Sequence, residues 1–438
     1  MTDSLGNGIP YSDWVCGLKF QIHLVPRSIL FICFSFGIQA CQSPGLGNAC
    51  DPGSESFRSF YLARILFDDD REVCGSVAPN KSICEMDPLS IIQPRRWKYV
   101  SAEMRKQAAL GTDPISFETI VQPNAGTAKW LGGVLSEQGK IYSIPYNRSD
   151  ILTIDPSENS FSNFESGASG AALWEGAVLA PNGKIYAIPR DSSQILVLNS
   201  VNHSTYFLPS PETGANKWRG GVLAPNGLIY GIPNSSSQIL VIDPQTDNIR
   251  TIVSPIAQSN MWEGGVLAPN GKIYAFPVDS DFIFVLDPYS ERTYTIPSPR
   301  AGLGKWRHGV VTAEGNLIGI PSTDNEFLIL NPWNDAVTLS TPIAGTSKWR
   351  GGVYTADGRI VTIPADSMDI IAWNPVTFTY TTLSTAIATG NKWGDGVLTP
   401  NGKIYGIPHT NDLILSINPG SKGRICKNLL LSSYWNVY

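Results

Sequence analysis

A tryptophan recurs seven times along the chain at almost constant spacing. Successive gaps are 44, 44, 44, 44, 43 and 44 residues. The seven positions are Trp130, Trp174, Trp218, Trp262, Trp306, Trp349 and Trp393. A fixed period of this size indicates a repeat architecture, in which each repeat buries its apolar face against its neighbours. The period therefore constrains the fold more than any single motif does.

Each repeat contains short apolar segments separated by turn residues. In the third repeat these are Gly220–Ala224, Leu228–Pro233 and Gln238–Asp243. Pro225-Asn226-Gly227 separates the first two, and Asn-Gly is a strong hairpin signal because both residues tolerate positive φ. An alternating fourth segment, Asn248–Val253, is typical of an outer strand that is wet on one face. Four antiparallel strands per repeat predict an all-β, seven-bladed β-propeller with a short N-terminal extension. A solenoid is the alternative, but solenoids need atypical terminal repeats.

The order of these signals resembles the NHL and SMP-30/gluconolactonase-like propeller repeats, over about Pro114–Pro419. The resemblance implies that the Gly-Val segment is the innermost strand of each blade. Paired glycines such as Gly220-Gly221 agree, because inner strands are crowded around the axis. The seventh blade needs a fourth strand from one terminus. Ile115–Val121 has the right alternation for this role, and Arg424–Leu431 is the competing segment.

The N-terminal residues have the pattern of an export signal. The apolar segment Ser28–Gly37 follows Lys19 and Arg27 and is too short to span a bilayer. We therefore predict a signal peptide with an over-long start over residues 1–40. Cys41 ends the segment Ile38-Gln39-Ala40-Cys41, which resembles a bacterial lipobox of the loose kind found in spirochaete-type lipoproteins. The resemblance implies lipidation of Cys41; ordinary secretion with cleavage nearby is the alternative.

The remaining organisation follows from these assignments. We expect a lipid-anchor tether and cysteine-containing segment over 41–112, the propeller over 113–419 and a C-terminal tail over 420–438. Four cysteines remain outside the signal and the lipidation site, which permits two disulfides in three possible pairings, one of them expected to tie the last cysteine to the N-terminal segment. These four are Cys50, Cys74, Cys84 and Cys426. A zinc site is disfavoured because the chain lacks any CxxC spacing.

Charge and composition restrict the partners. The net charge of −5 argues against an extended basic surface for nucleic acid. We expect a monomer, attached to a membrane through its lipid anchor as an outer-membrane or surface lipoprotein, with a secreted or periplasmic protein as the alternative. No motif in the sequence predicts a cofactor.

Candidate site residues lie on one face of the predicted propeller, which we call the Trp face. It carries the loops that enter the first strand and those that join the second and third strands of each blade, and function often resides on such loops. The candidates in the second set of loops are Arg148, Arg190, Asp279, Asp281, Glu326 and His409. His308 and Asp395 each replace an inner-strand glycine and are candidates for the central channel. Two such residues are too few for a closed metal site.

The tryptophans have two interpretations. They form an exposed aromatic platform for a sugar or peptide, or they pack between blades while charged neighbours pair across the joints. The residues that follow them include Glu175, Arg219, Glu263, Arg307 and Arg350, and lysines precede five of them. We favour the architectural interpretation, because a ligand rarely has sevenfold symmetry.

The sequence thus predicts an exported binding or interaction module at the cell envelope, with an unknown protein or glycan as its ligand. One alternative is a metal-dependent lactonase or esterase of the SMP-30 type. That resemblance implies acidic and amide metal ligands at the axis, where most inner strands here offer Gly-Gly-Val. A structural scaffold of an envelope complex is the other alternative.

Overall fold

The protein is described by a computed structural model over residues 82–122, 126–343, 348–388 and 390–435. Within these residues, seven antiparallel sheets of four strands each are formed. The first strands of successive sheets contact one another, and the first strand of the first sheet contacts that of the last. The sheets are therefore blades of a closed ring with their first strands innermost. The predicted seven-bladed β-propeller is confirmed.

The N-terminal strand β1 spans Ser116–Val121, and each blade is otherwise built from strands that are consecutive in the chain. The strands of blades 1 to 4 are β2 (Val134–Leu135), β3 (Ile141–Ser143), β4 (Asp150–Asp155), β5 (Ser160–Glu165), β6 (Trp174–Leu179), β7 (Lys184–Pro189), β8 (Gln194–Asn199), β9 (Thr205–Pro209), β10 (Trp218–Leu223), β11 (Ile229–Pro233), β12 (Gln238–Asp243), β13 (Asn248–Val253), β14 (Val266–Leu267), β15 (Ile273–Ala275), β16 (Phe282–Asp287) and β17 (Arg292–Pro297). The strands of blades 5 to 7 are β18 (Trp306–Val311), β19 (Leu317–Pro321), β20 (Leu328–Asn331), β21 (Ala336–Leu339), β22 (Trp349–Tyr354), β23 (Ile360–Pro364), β24 (Asp369–Trp373), β25 (Tyr380–Ser384), β26 (Trp393–Leu398), β27 (Ile404–Pro408) and β28 (Leu413–Asn418).

The N-terminal strand closes the ring, as the sequence predicted. β1 pairs antiparallel with β28, from Ser116 opposite Asn418 to Val121 opposite Leu413. The competing segment at 424–431 is not a strand, because Gly420 turns the chain away from the blade at a φ of 76° and residues Lys427–Leu430 form a helix. β1 covers β28, which would otherwise be the outer edge strand of blade 7, so this blade has four strands like the other six.

Helices lie at both ends of the described chain. They are α1 (Pro88–Ile91), α2 (Trp97–Ala108) and α3 (Lys427–Leu430), with 3-10 turns at Ile83–Glu85 and Pro94–Arg96. No helix in the described ranges is long and apolar enough to cross a membrane.

A disulfide joins the two terminal segments. Cys84 is bonded to Cys426, with the two Cα atoms 5.6 Å apart. The Asn428 side chain reinforces the junction by donating to the carbonyl oxygen of Met86 (2.9 Å). The expected bridge between Cys426 and the N-terminal segment is confirmed. Cys41, Cys50 and Cys74 lie outside the described residues.

The joined segments, residues 83–108 and 424–435, form what we call the turn-face cap. The hairpin turns between the first and second strands lie on the face opposite the Trp face, and the cap packs against that face. Side chains of the cap donate to backbone carbonyl oxygens of four blades: Lys427 to Glu137, Gln93 to Pro225, Arg105 to Ala313 and Trp435 to Tyr354. Because these blades lie around the ring, the cap spans the axial opening on this face.

Glycines have two separate roles in the repeat. Gly227 adopts a φ of 84° in its hairpin turn, a conformation that side chains disfavour. Gly221 is required by close packing, because a Cβ there would lie 2.8 Å from Cδ1 of Ile188 in the preceding blade. The second glycine of the Gly-Gly pair therefore lets neighbouring inner strands approach each other.

The turn asparagines also join neighbouring blades, which the sequence analysis did not predict. Asn226 accepts from the backbone N–H of Leu228, as expected in a turn, while its amide donates to the carbonyl oxygen of Pro288 in the next blade (2.7 Å). The Tyr230 hydroxyl donates to the same carbonyl (3.1 Å). Equivalent pairs recur in other blades. Asn in this motif is therefore both a turn former and a joint residue.

Candidate functional site

All seven repeat tryptophans are buried, with at most 1% of each exposed. Each indole N–H donates to the backbone carbonyl twenty residues further along, at 2.6–2.9 Å, which ties the first strand of the blade to its third. Trp349 also stacks on Phe327 of the preceding blade, whereas Trp174 stacks on Phe207 of its own. The rings therefore have an architectural environment and present no exposed aromatic platform.

The lysines that precede five of the tryptophans are not surface charges. The Lys217 ammonium donates to the carbonyl oxygens of Arg190 (3.2 Å) and Ser192 (2.9 Å) in the preceding blade. Lys305 and Lys392 make the same kind of contact two and four joints further on. Burial lowers the pKa of Lys217, Lys305 and Lys392. These ammonium groups hold neighbouring blades together.

A β-bulge in the first strand of the blade directs the residues that follow the tryptophan towards the propeller axis. The pairing of the first and second strands shifts register directly after the tryptophan, for example between Trp218 and Gly221. Gly220 and Gly264 adopt φ of 76° and 71° at the bulge. His308 occupies the equivalent position in blade 5 with a φ of 52°. A non-glycine residue in this conformation is uncommon and often marks a functional position.

The bulges gather eight side chains into what we call the axial charge cluster. Its members lie one or two residues after the tryptophans of blades 2 to 7, except Arg190 of a polar loop, and are Glu175, Arg190, Arg219, Glu263, Arg307, His308, Arg350 and Asp395. Arg350 of blade 6 contacts both Glu175 of blade 2 (3.3 Å) and Glu263 of blade 4 (3.6 Å). Residues from such distant blades can meet only at the axis, so the cluster lies across it.

The two glutamates are the centres of the cluster. Glu263 is fully buried and contacts Arg219 (3.0 Å) and Arg307 (2.8 Å). Burial alone would raise the pKa of Glu263, but Arg307, Arg350 and Arg219 outweigh that effect and hold the pKa well below its usual range. Glu175 contacts Arg190 (3.1 Å) and Arg219 (3.4 Å). Both carboxylates are surrounded by guanidinium groups.

The two channel candidates lie together. Nδ1 of His308 is 3.9 Å from Oδ2 of Asp395, and Nε2 of His308 is 3.6 Å from Oε1 of Glu263. Burial acts to lower the pKa of His308, but the two carboxylates outweigh it and raise that pKa above its ordinary value. Burial raises the pKa of Asp395. His308 fits because Gly264 of the preceding blade has no Cβ, which would lie 2.9 Å from Nδ1.

Of the six loop candidates, Arg190 belongs to the cluster and His409 borders it. Arg190 contacts Glu175, and its guanidinium carbon lies 5.4 Å from the ring centroid of Tyr146. His409 packs edge-on against the same ring (5.6 Å), and its Nδ1 is 3.1 Å from the carbonyl oxygen of Trp130. Burial lowers the pKa of His409 to about 4, so its imidazole is neutral at physiological pH.

In the described part of the chain, the bonds of the other four loop candidates lie outside the cluster. Arg148 pairs with Asp150, and Glu326 pairs with Arg300 on the surface. Asp279 accepts from the backbone N–H of Gly304 and thereby supports a loop of the next blade. Asp281 is exposed.

Sequence reasoning treated the charged residues after the tryptophans as partners across neighbouring joints. Glu175 and Glu263 do contact arginines of adjacent blades, but the bonds of Arg350 across the axis were not foreseen. Tyr146 was not singled out. The available signal was the variation at the position after the tryptophan, which is Leu131, Glu175, Arg219, Glu263, Arg307, Arg350 or Gly394 beside a tryptophan that never varies.

Within the described residues, no three His, Cys, Asp or Glu side chains are grouped so that they could hold a metal ion.

No protein-family model and no curated protein matches the sequence. Solved structures resemble the fold. A streptogramin B lyase is 14% identical with a TM-score of 0.59, covering 69% of this chain and 97% of its own. A catalytically inactive virginiamycin B lyase from Staphylococcus aureus, solved with quinupristin, is 13% identical with a TM-score of 0.62, covering 70% and 99%. Kuenenia stuttgartiensis hydrazine synthase is 12% identical with a TM-score of 0.53, covering 69% and 100%. At these identities the likeness concerns the fold alone.

Proposed function

We propose that this protein is an exported binding module that takes its ligand at the axial mouth of the Trp face. The axial charge cluster carries the proposal. It lies across the axis on the Trp face, which the turn-face cap does not cover, and the residue after the tryptophan is not the same in all seven blades. A purely structural requirement of a sevenfold ring is met by the same residue in each blade, as the tryptophans illustrate. Different residues at equivalent positions suit a ligand without that symmetry.

Stability alone does not explain the cluster. Removing ions from water costs several kcal/mol each, and apolar replacements of buried ion pairs are often neutral or stabilising. Leu131 and Gly394 occupy the position after tryptophan in blades 1 and 7, so the inner strands accept uncharged residues there. Charged groups fixed by their neighbours are well suited to orient a polar ligand.

Export and anchoring through Cys41 form the second part of the proposal. The disulfide between Cys84 and Cys426 supports export, because such bonds persist mainly in oxidising compartments. Cys41→Ala is expected to abolish fatty-acid labelling and to release the protein from membranes of its native host. Unchanged labelling and detergent partitioning of the variant would remove the lipoprotein assignment, without affecting the axial site.

The alternatives make different predictions. A metal-dependent lactonase or esterase should retain a divalent metal after purification, which elemental analysis would detect. A scaffold should bind a partner through the outer strands or the cap, independently of the axial cluster. No grouping of metal ligands in the described residues favours the first alternative.

A glycan and matrix-protein array tests the binding function. We expect the wild-type protein and the control Arg292→Gln, which alters an exposed arginine of the outer strand β17, to retain the same ligand. Arg350→Gln, which removes the side chain that crosses the axis, should lose it while keeping a cooperative melting transition. Equal retention by all three proteins would place the ligand elsewhere and contradict the proposal.

A further inference from the structure

Arg307 and Arg350 come from adjacent blades and share one carboxylate. Nη1 of Arg307 is 2.8 Å from Oε2 of Glu263, and Nε of Arg350 is 3.6 Å from Oε1 of the same residue. The Glu263 carboxylate therefore holds both guanidinium groups at the axial mouth of the Trp face. Arg307 is also the most exposed arginine of the cluster, with 24% of its side chain accessible.

These two arginines keep unused hydrogen-bond donors. Arg219 donates through Nη1 to Glu263 and through Nη2 to Asn216, and its Nε faces Glu175. Arg307, by contrast, donates to Glu263 through Nη1 alone. Arg350 donates through Nη2 to Glu175. Among the described residues, Nε and Nη2 of Arg307 and Nη1 of Arg350 donate to no protein acceptor.

The charges of the cluster are also unbalanced. Its four arginines are Arg190, Arg219, Arg307 and Arg350, against Glu175 and Glu263, with Asp191 on the outer side of Arg190 as a third carboxylate. With His308 counted among the basic groups and Asp395 among the carboxylates, five basic side chains face four carboxylates in the described part of the chain.

Buried polar atoms in the cluster indicate an additional polar partner. Nε of Arg350, Nδ1 of His308 and Oδ2 of Asp395 are buried without a hydrogen bond. His308 is 91% and Asp395 96% buried, since their exposed fractions are 9% and 4%. Buried polar groups in native proteins are almost always hydrogen-bonded, and exceptions concentrate at sites of function.

We propose that Arg307 and Arg350 form an oxyanion clamp that binds the acidic group of the ligand. A planar guanidinium presents paired N–H donors that match a carboxylate or a sulfate, and a ligand oxyanion would accept from the donors that Arg307 and Arg350 leave unused. This inference rests on the proposed function and names the chemistry of the ligand: a carboxylate or sulfate group that enters the mouth of the Trp face.

Isothermal titration calorimetry of the purified full-length protein tests the clamp with three small-molecule probes. D-glucuronate and D-glucose differ in the carboxylate, and inorganic sulfate supplies the oxyanion without a sugar. We expect glucuronate and sulfate to bind and glucose not to bind. Tighter binding of glucuronate than of sulfate would indicate a carboxylated sugar, whereas equal binding would indicate that the oxyanion alone is recognised. Both results support the clamp.

The variants identify the site. Arg307→Gln and Arg350→Gln should each weaken anion binding about tenfold or more, the usual effect of losing a hydrogen bond between charged groups. Arg307→Lys keeps the positive charge but not the planar pair of N–H donors, so its loss of anion affinity should be intermediate between those of wild type and Arg307→Gln. Arg292→Gln is the matched control and should bind like wild type. If Arg350→Gln does not fold, the more exposed Arg307 alone carries the test.

Two results would overturn the clamp. One is the absence of binding by both anions at millimolar concentration. The other is equal anion affinity in wild type, Arg307→Gln and Arg350→Gln, which would show an adventitious ion only. If the array still finds a neutral ligand that is lost in Arg350→Gln, the clamp fails while the proposed binding function stands.

Discussion

Truncation of a single repeat tryptophan separates an architectural role from a ligand platform. Trp218 is fully buried, and its indole N–H donates to the carbonyl oxygen of Gln238 at 2.7 Å. Trp218→Ala removes the whole ring, which usually costs about 3–5 kcal/mol. A propeller of roughly 300 residues has an unfolding entropy of about 0.6 kcal/mol/K, so the expected fall in Tm is about 5–8 °C.

Two further variants make this test specific. Trp218→Phe keeps an aromatic ring but leaves the Gln238 carbonyl unpaired, for which we expect an intermediate loss of about 1–3 kcal/mol. Trp333→Ala is the control, because that indole is 62% exposed, and its Tm should change by less than about 1 °C. Differential scanning calorimetry would measure all three. A negligible shift for Trp218→Ala, equal to that of the control, would refute the architectural role.

Three other predictions concern the cap, the joints and the cluster. Reduction of the disulfide at Cys84, which closes a loop with a sequence separation of 342 residues, should cost about 2–5 kcal/mol; an unchanged Tm in reductant would contradict this. Lys217→Met should cost about 1–3 kcal/mol by leaving the buried Ser192 carbonyl without its donor, with exposed Lys106→Met as a neutral control; equal melting of the two would argue against the lysine contacts. Because the folded pKa of His308 is raised, its stabilising contribution is complete below about pH 6.5, the unfolded value. The contribution is lost as pH rises through the folded pKa, so the Tm of wild type should fall relative to His308→Gln between pH 6 and 9. Parallel curves for the two proteins would contradict the assignment.

The fold was predictable because its determinants are local and repeated. The 44-residue period, the Asn-Gly turns and the alternation in segments such as Asn248–Val253 each act within one repeat. The closing role of β1 was also predictable, because its alternation matches the missing fourth strand. Arg424–Leu431 was a credible competitor by composition, and the turn at Gly420 that excludes it is a tertiary feature.

The candidate site was predictable only in part. His308 and Asp395 were recognisable because each breaks a glycine position, and the structure places them 3.9 Å apart. The contact between Arg350 and Glu175 joins residues 175 positions apart across the axis, and no local pattern encodes which blades face each other so closely. From the sequence, lysines such as Lys217 look like surface charges. In the structure they are buried in the joints, because their ammonium groups donate hydrogen bonds to backbone carbonyls of the preceding blade.

The most direct test of the axial binding site is a crystal structure of the protein with the array ligand that binds most tightly. We predict that the ligand occupies the mouth of the Trp face with an acidic group against Arg307 and Arg350, and that the turn-face cap is unchanged. A ligand bound on the outer strands or on the cap, with the axial cluster untouched, would contradict the account.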